Sequence, residues 1–184
     1  MKTAIKKIVV IGPESTGKSF LCEQLAQHYK TQWVKEYARE YLLKNGTDYT
    51  FENLLDIAKG QLELEDNAIG LLEEKNSTFN IQHSKLFIDT DMYVMKVWCE
   101  FVFEKCHQFI LNKIVERKYD LYLLCNTDMP WVKDELREYP DLETREKLYK
   151  HYKDIMVDQK TPWVDINGGY DERLKNAIAA VDAL

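Results

Sequence analysis

The amino-acid sequence predicts an α/β domain whose five-stranded, mainly parallel sheet carries helices on both faces. Short apolar runs alternate with segments of helical periodicity along the whole chain, a pattern typical of parallel sheets. The 184 residues suffice for one domain with a substantial core, and no repeat or linker divides them. We therefore expect residues 1–184 to form a single domain. The expected strands are Ile5–Ile11, Trp33–Glu36, Leu86–Asp89, Leu121–Cys125 and Trp163–Ile166.

Helices are expected in the segments between these strands. In the longest, apolar residues recur at helical spacing from Phe51 toward Glu74, and Thr50 is expected to supply the N-cap. Asp141 is expected to cap another helix that begins at Leu142. The other helices should lie after the first strand up to about Tyr29, over Ala38–Lys44, from Met92 past Cys106, and over Asp171–Ala183.

The first strand is followed directly by a phosphate-binding motif. Residues 12–19 read GPESTGKS and fit G-x-x-x-x-G-K-[ST], the P-loop. Backbone N–H groups of such a loop, and the start of the helix behind it, face anionic oxygens. Lys18 is expected to reach the β- and γ-phosphates of ATP, and the Ser19 hydroxyl to bind Mg²⁺. The residues expected to bind ATP here are Gly12, Glu14, Ser15, Thr16, Gly17, Lys18, Ser19 and Phe20.

Two other segments bear on the nucleotide base. Residues 126–129 read NTDM after the fourth strand and do not fit the N-K-x-D motif of guanine-specific proteins, so ATP is the expected donor. Residues 167–170 read NGGY after the last strand. Gly169 would let the backbone approach a purine, although a plain turn into the last helix explains the glycines equally well.

Carboxylates stand at the end of the third predicted strand. Ligands of open α/β sheets bind outside the carboxyl ends of the strands, so Asp89 is expected beside the P-loop, where it would hold Mg²⁺. Asp91 follows two residues later. It fits a substrate contact and an N-cap before Met92 equally well, and both readings stay open.

The second strand leads into another charged segment, KEYARE. Glu36 would emerge where an acceptor hydroxyl lies in line with the γ-phosphate, and would accept the hydroxyl proton. Arg39, one turn later, would contact substrate or phosphate. The alternative is a surface pair, with Glu36 favoured at a helix start by the helix dipole. The residues alone do not decide between the two.

A long polar segment, residues 127–145, is expected to form a lid. Prolines interrupt it, and a loop of this length in a compact domain is usually functional. Arg137 and Arg145 would neutralise charge on the transferring phosphate, and Trp131 would cover a flat base. Alternatively, Trp131 is a core anchor and both arginines are solvated salt-bridge partners, which we favour for Arg145.

Composition excludes several classes of function. The net charge of −6 argues against nucleic acid as a partner. No signal peptide or long apolar span is recognisable, which predicts a cytoplasmic protein without a membrane partner. The oligomeric state stays open. The cysteines show no C-x-x-C pairing and are expected to be buried free thiols: Cys22, Cys99, Cys106 and Cys125.

Taken in order, the segments GPESTGKS, EYARE, FIDTD and PWVKDELR resemble the ribosylnicotinamide kinase domain of NadR-type proteins. The resemblance runs from Lys7 to the final helix. It implies a P-loop kinase fold and transfer of the ATP γ-phosphate to the 5′-hydroxyl of nicotinamide riboside, with Mg²⁺, to give nicotinamide mononucleotide. No H-x-G-H nucleotidyltransferase signature is present, so only the kinase step is implied.

The resemblance also strengthens the functional roles of Glu36 and Asp89. With the motifs above, the expected catalytic residues are Lys18, Glu36, Asp89 and Arg137, and the expected metal ligands are Ser19 and Asp89. The expected substrate-binding residues are Glu36, Tyr37, Arg39, Asp91, Trp131 and Asp134. Glu135 stands where a small residue or proline is expected, a departure that affects the lid.

The charge of the implied substrate agrees with the composition. The pyridinium ring of nicotinamide riboside is cationic and would suit an acidic cleft with aromatic walls. Aromatic residues expected near the strand ends are Tyr37, Tyr93, Trp98 and Trp131, and we expect Trp98 to belong to the core. Two alternatives remain, namely a kinase for another nucleoside or nucleotide, and a nucleotide-sensing regulatory ATPase.

Overall fold

A computed structural model describes residues 4–79 and 83–184. The described residues form a five-stranded sheet in the order β2-β3-β1-β4-β5, and every neighbouring pair is parallel. The predicted α/β class with a parallel sheet is therefore confirmed. The strands are β1 Ala4–Ile11, β2 Trp33–Val34, β3 His83–Asp89, β4 Leu121–Cys125 and β5 Trp163–Ile166.

Helices cover both faces of the sheet. Alternate residues of β1 point to opposite sides, since Ile8 and Val10 pack against α1 and α7 while Val9 and Ile11 belong to the cluster formed with α4 and α6. All four are fully buried. The helices are α1 Lys18–His28, α2 Tyr37–Asn45, α3 Phe51–Phe79, α4 Met92–Phe103, α5 Gln108–Glu116, α6 Leu142–Asp158 and α7 Tyr170–Asp182.

Several predicted boundaries differ from those observed. β2 ends at Val34, so Glu36 lies outside the strand and at the N-cap of α2. β3 begins three residues earlier than predicted, at His83, because its polar first half pairs with β1. α3 continues beyond Glu74 to Phe79.

One helix prediction was wrong. The segment from Met92 past Cys106 was expected to be continuous, but α4 ends at Phe103 and α5 begins at Gln108. Glu104 closes α4 in the left-handed region, with φ 55°, and its N–H bonds to Glu100 O. The apolar spacing continues through the break, which is why periodicity alone did not reveal it.

The four cysteines are free thiols, as expected. Cys22, Cys99 and Cys125 are fully buried, whereas Cys106, which was also expected to be buried, is only half-buried. Among the described residues, no helix combines the length and apolarity that crossing a membrane requires.

Candidate active site

The P-loop lies between β1 and α1, at the carboxyl end of the central strand. Gly12 has a φ of +136°, and a Cβ there would come within 2.6 Å of Cys125 O. Gly17 also has a positive φ, +78°. Both glycines are therefore required by backbone conformation, and by the close approach of β4 at Gly12.

Polar side chains tighten this loop from within. Lys18 Nζ donates to Pro13 O at 2.9 Å, and Thr16 Oγ1 donates to the same carbonyl at 2.7 Å. The Lys18 ammonium consequently lies over the loop whose backbone N–H groups would face phosphate oxygens.

Asp89 meets the P-loop at the end of β3. Its carboxylate is fully buried and accepts a 2.5 Å hydrogen bond from Ser19 Oγ. The pKa of Asp89 is raised to about 7, chiefly by burial and also by the Glu36 carboxylate, while the Lys18 ammonium opposes the rise. Asp89, Glu36 and Lys18 thus interact electrostatically at one place.

The pair Ser19 and Asp89 fits a hard cation. Mg²⁺ prefers oxygen ligands and usually binds through one or two protein oxygens together with substrate phosphates and water. In residues 4–79 and 83–184, this site included, no three His, Cys, Asp or Glu side chains gather in a metal-binding group. A cation here would therefore also need phosphate and water ligands. The charge of a buried, raised-pKa carboxylate is one that a cation would stabilise.

A cavity of about 320 Å³ opens from the P-loop and continues between α2, α4, α6 and the lid. Glu36 borders it at the start of α2, beside the P-loop. The far walls are apolar and aromatic. They consist of Ala38, Leu42, Val94, Val97, Trp98, Phe101, Leu136, Tyr139, Leu148 and Tyr152.

Trp98 packs against the core cluster of α3 and α4, as the sequence suggested, and its other side lies in this wall. Its indole Nε1 donates to Tyr49 Oη at 2.9 Å, and Tyr49 Oη donates to Glu138 Oε2 at 3.1 Å. The helical spacing of Val94, Val97 and Trp98 gave a core interpretation because a cavity wall and a core face have the same periodicity. Glu138 was missed altogether, since an exposed acid in a polar segment carries no signal of its own.

Aromatic residues also flank the other end of the P-loop. Phe20 is 44% exposed and contacts Tyr170 edge-on, with ring centroids 4.7 Å apart. Both rings border the cavity. Gly169, in contrast, does not border it, and its N–H donates to Glu172 Oε2 at 3.0 Å. Of the two interpretations of this glycine, the turn into the last helix is the one the structure supports.

The lid contacts the P-loop through Glu14. The Glu14 carboxylate accepts hydrogen bonds from Trp131 Nε1 at 3.2 Å, Glu138 N at 3.0 Å and Tyr139 N at 2.8 Å. Trp131 does not border the cavity, so the structure places it as an anchor of the lid and not as a cover for a base. Glu14 borders the cavity, yet its carboxylate oxygens are engaged by the lid.

The two lid arginines occupy different environments. Arg137 borders the cavity, and its guanidinium donates to Val132 O within the lid. Arg145 was expected to be solvated, but it is only 2% exposed. Its Nη2 donates to Met129 O at 3.2 Å and Ser15 O at 3.4 Å, and burial lowers its pKa.

Arg39 and Asp134, both predicted to bind substrate, form an ion pair with each other. Arg39 Nη1 lies 3.0 Å from Asp134 Oδ1, and the pairing lowers the pKa of Asp134. Arg39 also borders the cavity, whereas Asp134 does not. The pair joins α2 to the lid.

Tyr37 and Asp91 were predicted to contact substrate, and the structure gives each a role in packing. The Tyr37 ring lies so close to Gly60 that a Cβ there would be 2.1 Å from it, and the ring does not border the cavity. Asp91 Oδ1 accepts from the N–H groups of Tyr93 and Val94, and Tyr122 Oη donates to Oδ2 at 2.8 Å. Asp91 is therefore an N-cap. Burial raises its pKa to about 7.

Sequence reasoning missed Arg173 of α7. It is 2% exposed and donates to Thr16 O, Asn126 O and Gly168 O at 2.9, 2.9 and 2.7 Å. It also pairs with Asp128. One guanidinium therefore connects the P-loop to the segments after β4 and β5. In a segment that the sequence predicts to be helical, a buried arginine cannot be distinguished from a solvent-exposed one.

A family model described as an AAA domain matches residues 7–173 of this chain. The chain belongs to the AAA domain family. Members of this family carry a P-loop, and the match covers β1 from Lys7 onward, the P-loop, the lid and most of the remaining chain.

Relatives of known function agree with the resemblance seen in the sequence. The trifunctional NAD biosynthesis/regulator protein NadR of Escherichia coli is 25% identical over 179 residues, which are 96% of this chain and 42% of the relative. NadR of Salmonella typhimurium gives the same identity and coverage. The chain thus spans less than half the length of the curated relatives it matches.

Solved structures show the same fold. The crystal structure of NadR protein in complex with NR (nicotinamide riboside) superposes with a TM-score of 0.70 at 23% identity, covering 97% of this chain and 49% of the other. Thymidylate kinase from Candida albicans gives 0.64 at 15% identity, covering 97% and 91%. Deoxyadenosine kinase from M. mycoides with bound dCTP gives 0.59 at 12% identity, covering 97% and 100%. This AAA domain family member therefore has the fold of P-loop kinases.

Proposed function

We propose that this protein is an ATP- and Mg²⁺-dependent kinase that phosphorylates the 5′-hydroxyl of nicotinamide riboside to give nicotinamide mononucleotide. One observation carries the proposal. A single cavity has the P-loop at one end, Glu36 beside it, and an aromatic wall at the other end. That arrangement suits a phosphate donor and a nucleoside acceptor meeting at one carboxylate.

The reaction would use the residues at the P-loop end as follows. A bond forms between the acceptor 5′-oxygen and Pγ, the bond between Pγ and the β,γ-bridging oxygen breaks, and ADP leaves. Glu36, which borders the cavity beside the P-loop, would accept the proton that the hydroxyl loses. Lys18 would neutralise the β- and γ-phosphates, and Arg137 would contribute a second positive charge from the lid.

Ser19 and Asp89 would hold the magnesium ion. When bound, Mg²⁺ neutralises charge on the β- and γ-phosphate oxygens. Asp89 would be ionised with the cation bound, and would release the proton that it carries below its raised pKa. Its burial beside Ser19 fixes the carboxylate, so the cation site would be formed before the nucleotide binds.

The acceptor end of the cavity favours a cationic ring. Glu36 and Glu138 border it and bring negative charge, while Trp98, Phe101 and Tyr139 offer aromatic faces. The Phe101 and Tyr139 rings already pack edge-on, with centroids 5.3 Å apart. A pyridinium ring would gain from both features, whereas an uncharged pyrimidine or purine would gain only from the aromatic surface. The solved NadR structure with NR bound, at 23% identity to this chain, supports the same acceptor.

The proposal is tested by ATP consumption with Mg²⁺ against nicotinamide riboside, adenosine, cytidine, uridine and thymidine. Stimulation by nicotinamide riboside, with the mononucleotide as product, is expected. Dihydronicotinamide riboside has nearly the same shape without the charge and is the matched control, which should be a poorer substrate. Preference for another nucleoside would support a kinase with a different acceptor. ATP hydrolysis that no nucleoside stimulates would favour a regulatory ATPase.

The cytoplasmic location, the single-domain organisation and the absence of nucleic-acid and membrane partners stay predictions.

A further inference from the structure

We propose that Glu14 is a positioning residue that fixes the lid against the P-loop and so places Arg137 over the phosphates. The inference rests on the proposed phosphoryl transfer and assigns Glu14 a role other than binding ATP. Its carboxylate accepts three hydrogen bonds from the lid, two of them from the backbone amides of Glu138 and Tyr139. The third comes from the Trp131 indole.

These contacts hold the lid at two separate points. Trp131 lies at its beginning, while Glu138 and Tyr139 lie at its end. The neighbouring P-loop residue strengthens the first point, because Val132 N donates to Ser15 Oγ at 2.9 Å. Residues 133–137 are therefore a short span fixed at both ends by consecutive residues of the phosphate-binding loop.

Arg137 belongs to that span. Its guanidinium is bonded to Val132 O inside the lid, so the side chain moves with the segment that Glu14 and Ser15 hold. Arg137 borders the same cavity as the P-loop. Its distance from a bound γ-phosphate is thus set by contacts that lie outside the arginine itself.

A direct role of the Glu14 carboxylate in phosphate binding conflicts with its charge. A carboxylate repels phosphate, whereas the three N–H donors of the lid complement it. Hydrogen bonds to a charged acceptor are about twice as strong as neutral ones. The side chain is therefore best suited to attach the lid, while the backbone of the same residue remains part of the P-loop.

Amide hydrogen exchange, followed by NMR without any substrate, tests the attachment. In Glu14→Ala, exchange of the Glu138 and Tyr139 amides should accelerate by about tenfold or more, since each loses a charge-assisted acceptor. Glu14→Gln keeps one carbonyl oxygen and should give an intermediate rate. Glu135→Ala removes an exposed lid carboxylate with no hydrogen-bond partner among the described residues and is the matched control. Exchange in Glu14→Ala within about twofold of wild type would overturn the proposal.

Kinetics with the best acceptor of the nucleoside panel test the positioning role. For Glu14→Ala we expect kcat to fall about tenfold or more while the Kd for ATP stays within about twofold, with partial recovery in Glu14→Gln. Equal losses in kcat and ATP affinity would instead make Glu14 a binding residue and overturn positioning. If no acceptor is phosphorylated, the proposed function fails, and the exchange measurement still decides whether Glu14 holds the lid.

Discussion

The two ends of the cavity differ in how they are built. At the P-loop end, residues 12–19 are consecutive in sequence, and their geometry follows from two glycines and the strand before them. The acceptor end is assembled from α2, α4, α6 and the lid, whose residues are distant in sequence. The first is a local motif, and the second is a product of tertiary packing.

This difference separates what the two ends contribute to function. A loop of consecutive residues can recur with the same geometry in different proteins. The P-loop end therefore determines how the phosphate donor is bound. A wall made from several elements changes with each packing contact, so it defines the acceptor. Substitutions at the P-loop end should therefore reduce catalysis with every acceptor, whereas those at the other end should alter selectivity.

The largest effect is expected for Lys18→Ala, at the P-loop end. Loss of the ammonium proposed to neutralise the β- and γ-phosphates should lower kcat/KM by about 10³ or more with every nucleoside tested. Lys44→Ala, which removes an exposed ammonium of α2, is the matched control. Near wild-type turnover of the Lys18 variant would show that the P-loop does not serve catalysis.

Glu36→Gln should be the next most damaging, because the residue joins the two ends. The amide keeps the size and one acceptor oxygen but cannot accept the hydroxyl proton, so kcat should fall by about 10² to 10⁴ with ATP affinity unchanged. Glu40→Gln, on the exposed side of the same helix, should have no such effect. A parallel loss of kcat and ATP affinity would make Glu36 structural.

Asp89→Asn should stabilise the magnesium-free protein at neutral and higher pH. The pKa of Asp89 is raised from 3.8 to about 7 in the folded protein, chiefly by burial. Between these values the unfolded chain loses a proton that the folded one keeps, so the contribution of Asp89 to stability falls as pH rises. The variant should gain about 1–3 kcal/mol in the free energy of unfolding above pH 7 and nothing near pH 4.

Urea unfolding in the presence of a chelator, repeated from pH 4 to pH 8, gives the comparison for Asp89. A difference between variant and wild type that does not grow with pH would contradict the raised pKa. Activity should be lost in the same variant, since the metal-binding charge is removed.

A smaller effect is expected for Tyr170→Ala, beside the P-loop. Tyr170 packs edge-on against Phe20, and an aromatic contact of this kind is worth about 0.5–1.5 kcal/mol. If the pair supports the adenine ring, the KM for ATP should rise about threefold to tenfold while the KM for the acceptor stays unchanged. A change in the KM for the acceptor alone would mean that these rings contact the acceptor and not ATP.

The smallest effect is expected for the Arg39–Asp134 pair. Arg39 is nearly half exposed, so the pair should contribute about 0.2–1 kcal/mol to lid stability. A double-mutant cycle of Arg39→Ala and Asp134→Ala, followed by thermal unfolding, measures that coupling. A coupling above about 2 kcal/mol would mean that the pair is a second anchor of the lid.

The same difference between a local motif and tertiary packing separates the features that the sequence predicts from those that it does not. The parallel sheet, the P-loop, and the convergence of Asp89 and Glu36 beside it were predictable because strand ends meet at one edge of a sheet. The break at Glu104 was not, since the apolar spacing runs through it. Nor was the wall position of Trp98, because one periodicity describes a cavity wall and a core.

The two buried arginines show most clearly what could not be predicted from the sequence. Arg145 and Arg173 look like surface residues in sequence, yet each is 2% exposed and donates to main-chain carbonyls of the P-loop. Their partners lie more than a hundred residues away in the chain. Such contacts depend on tertiary packing, for which a single sequence has no local signal.

The most direct test of the account follows the γ-phosphate itself. The protein is incubated with Mg²⁺ and γ-labelled ATP in an equal mixture of nicotinamide riboside, adenosine, cytidine, uridine and thymidine, and the labelled products are separated. We predict label in nicotinamide mononucleotide with wild-type protein and none with Lys18→Ala. Label confined to inorganic phosphate, or attached mainly to another nucleoside, would contradict the proposed acceptor and the role given to the aromatic end of the cavity.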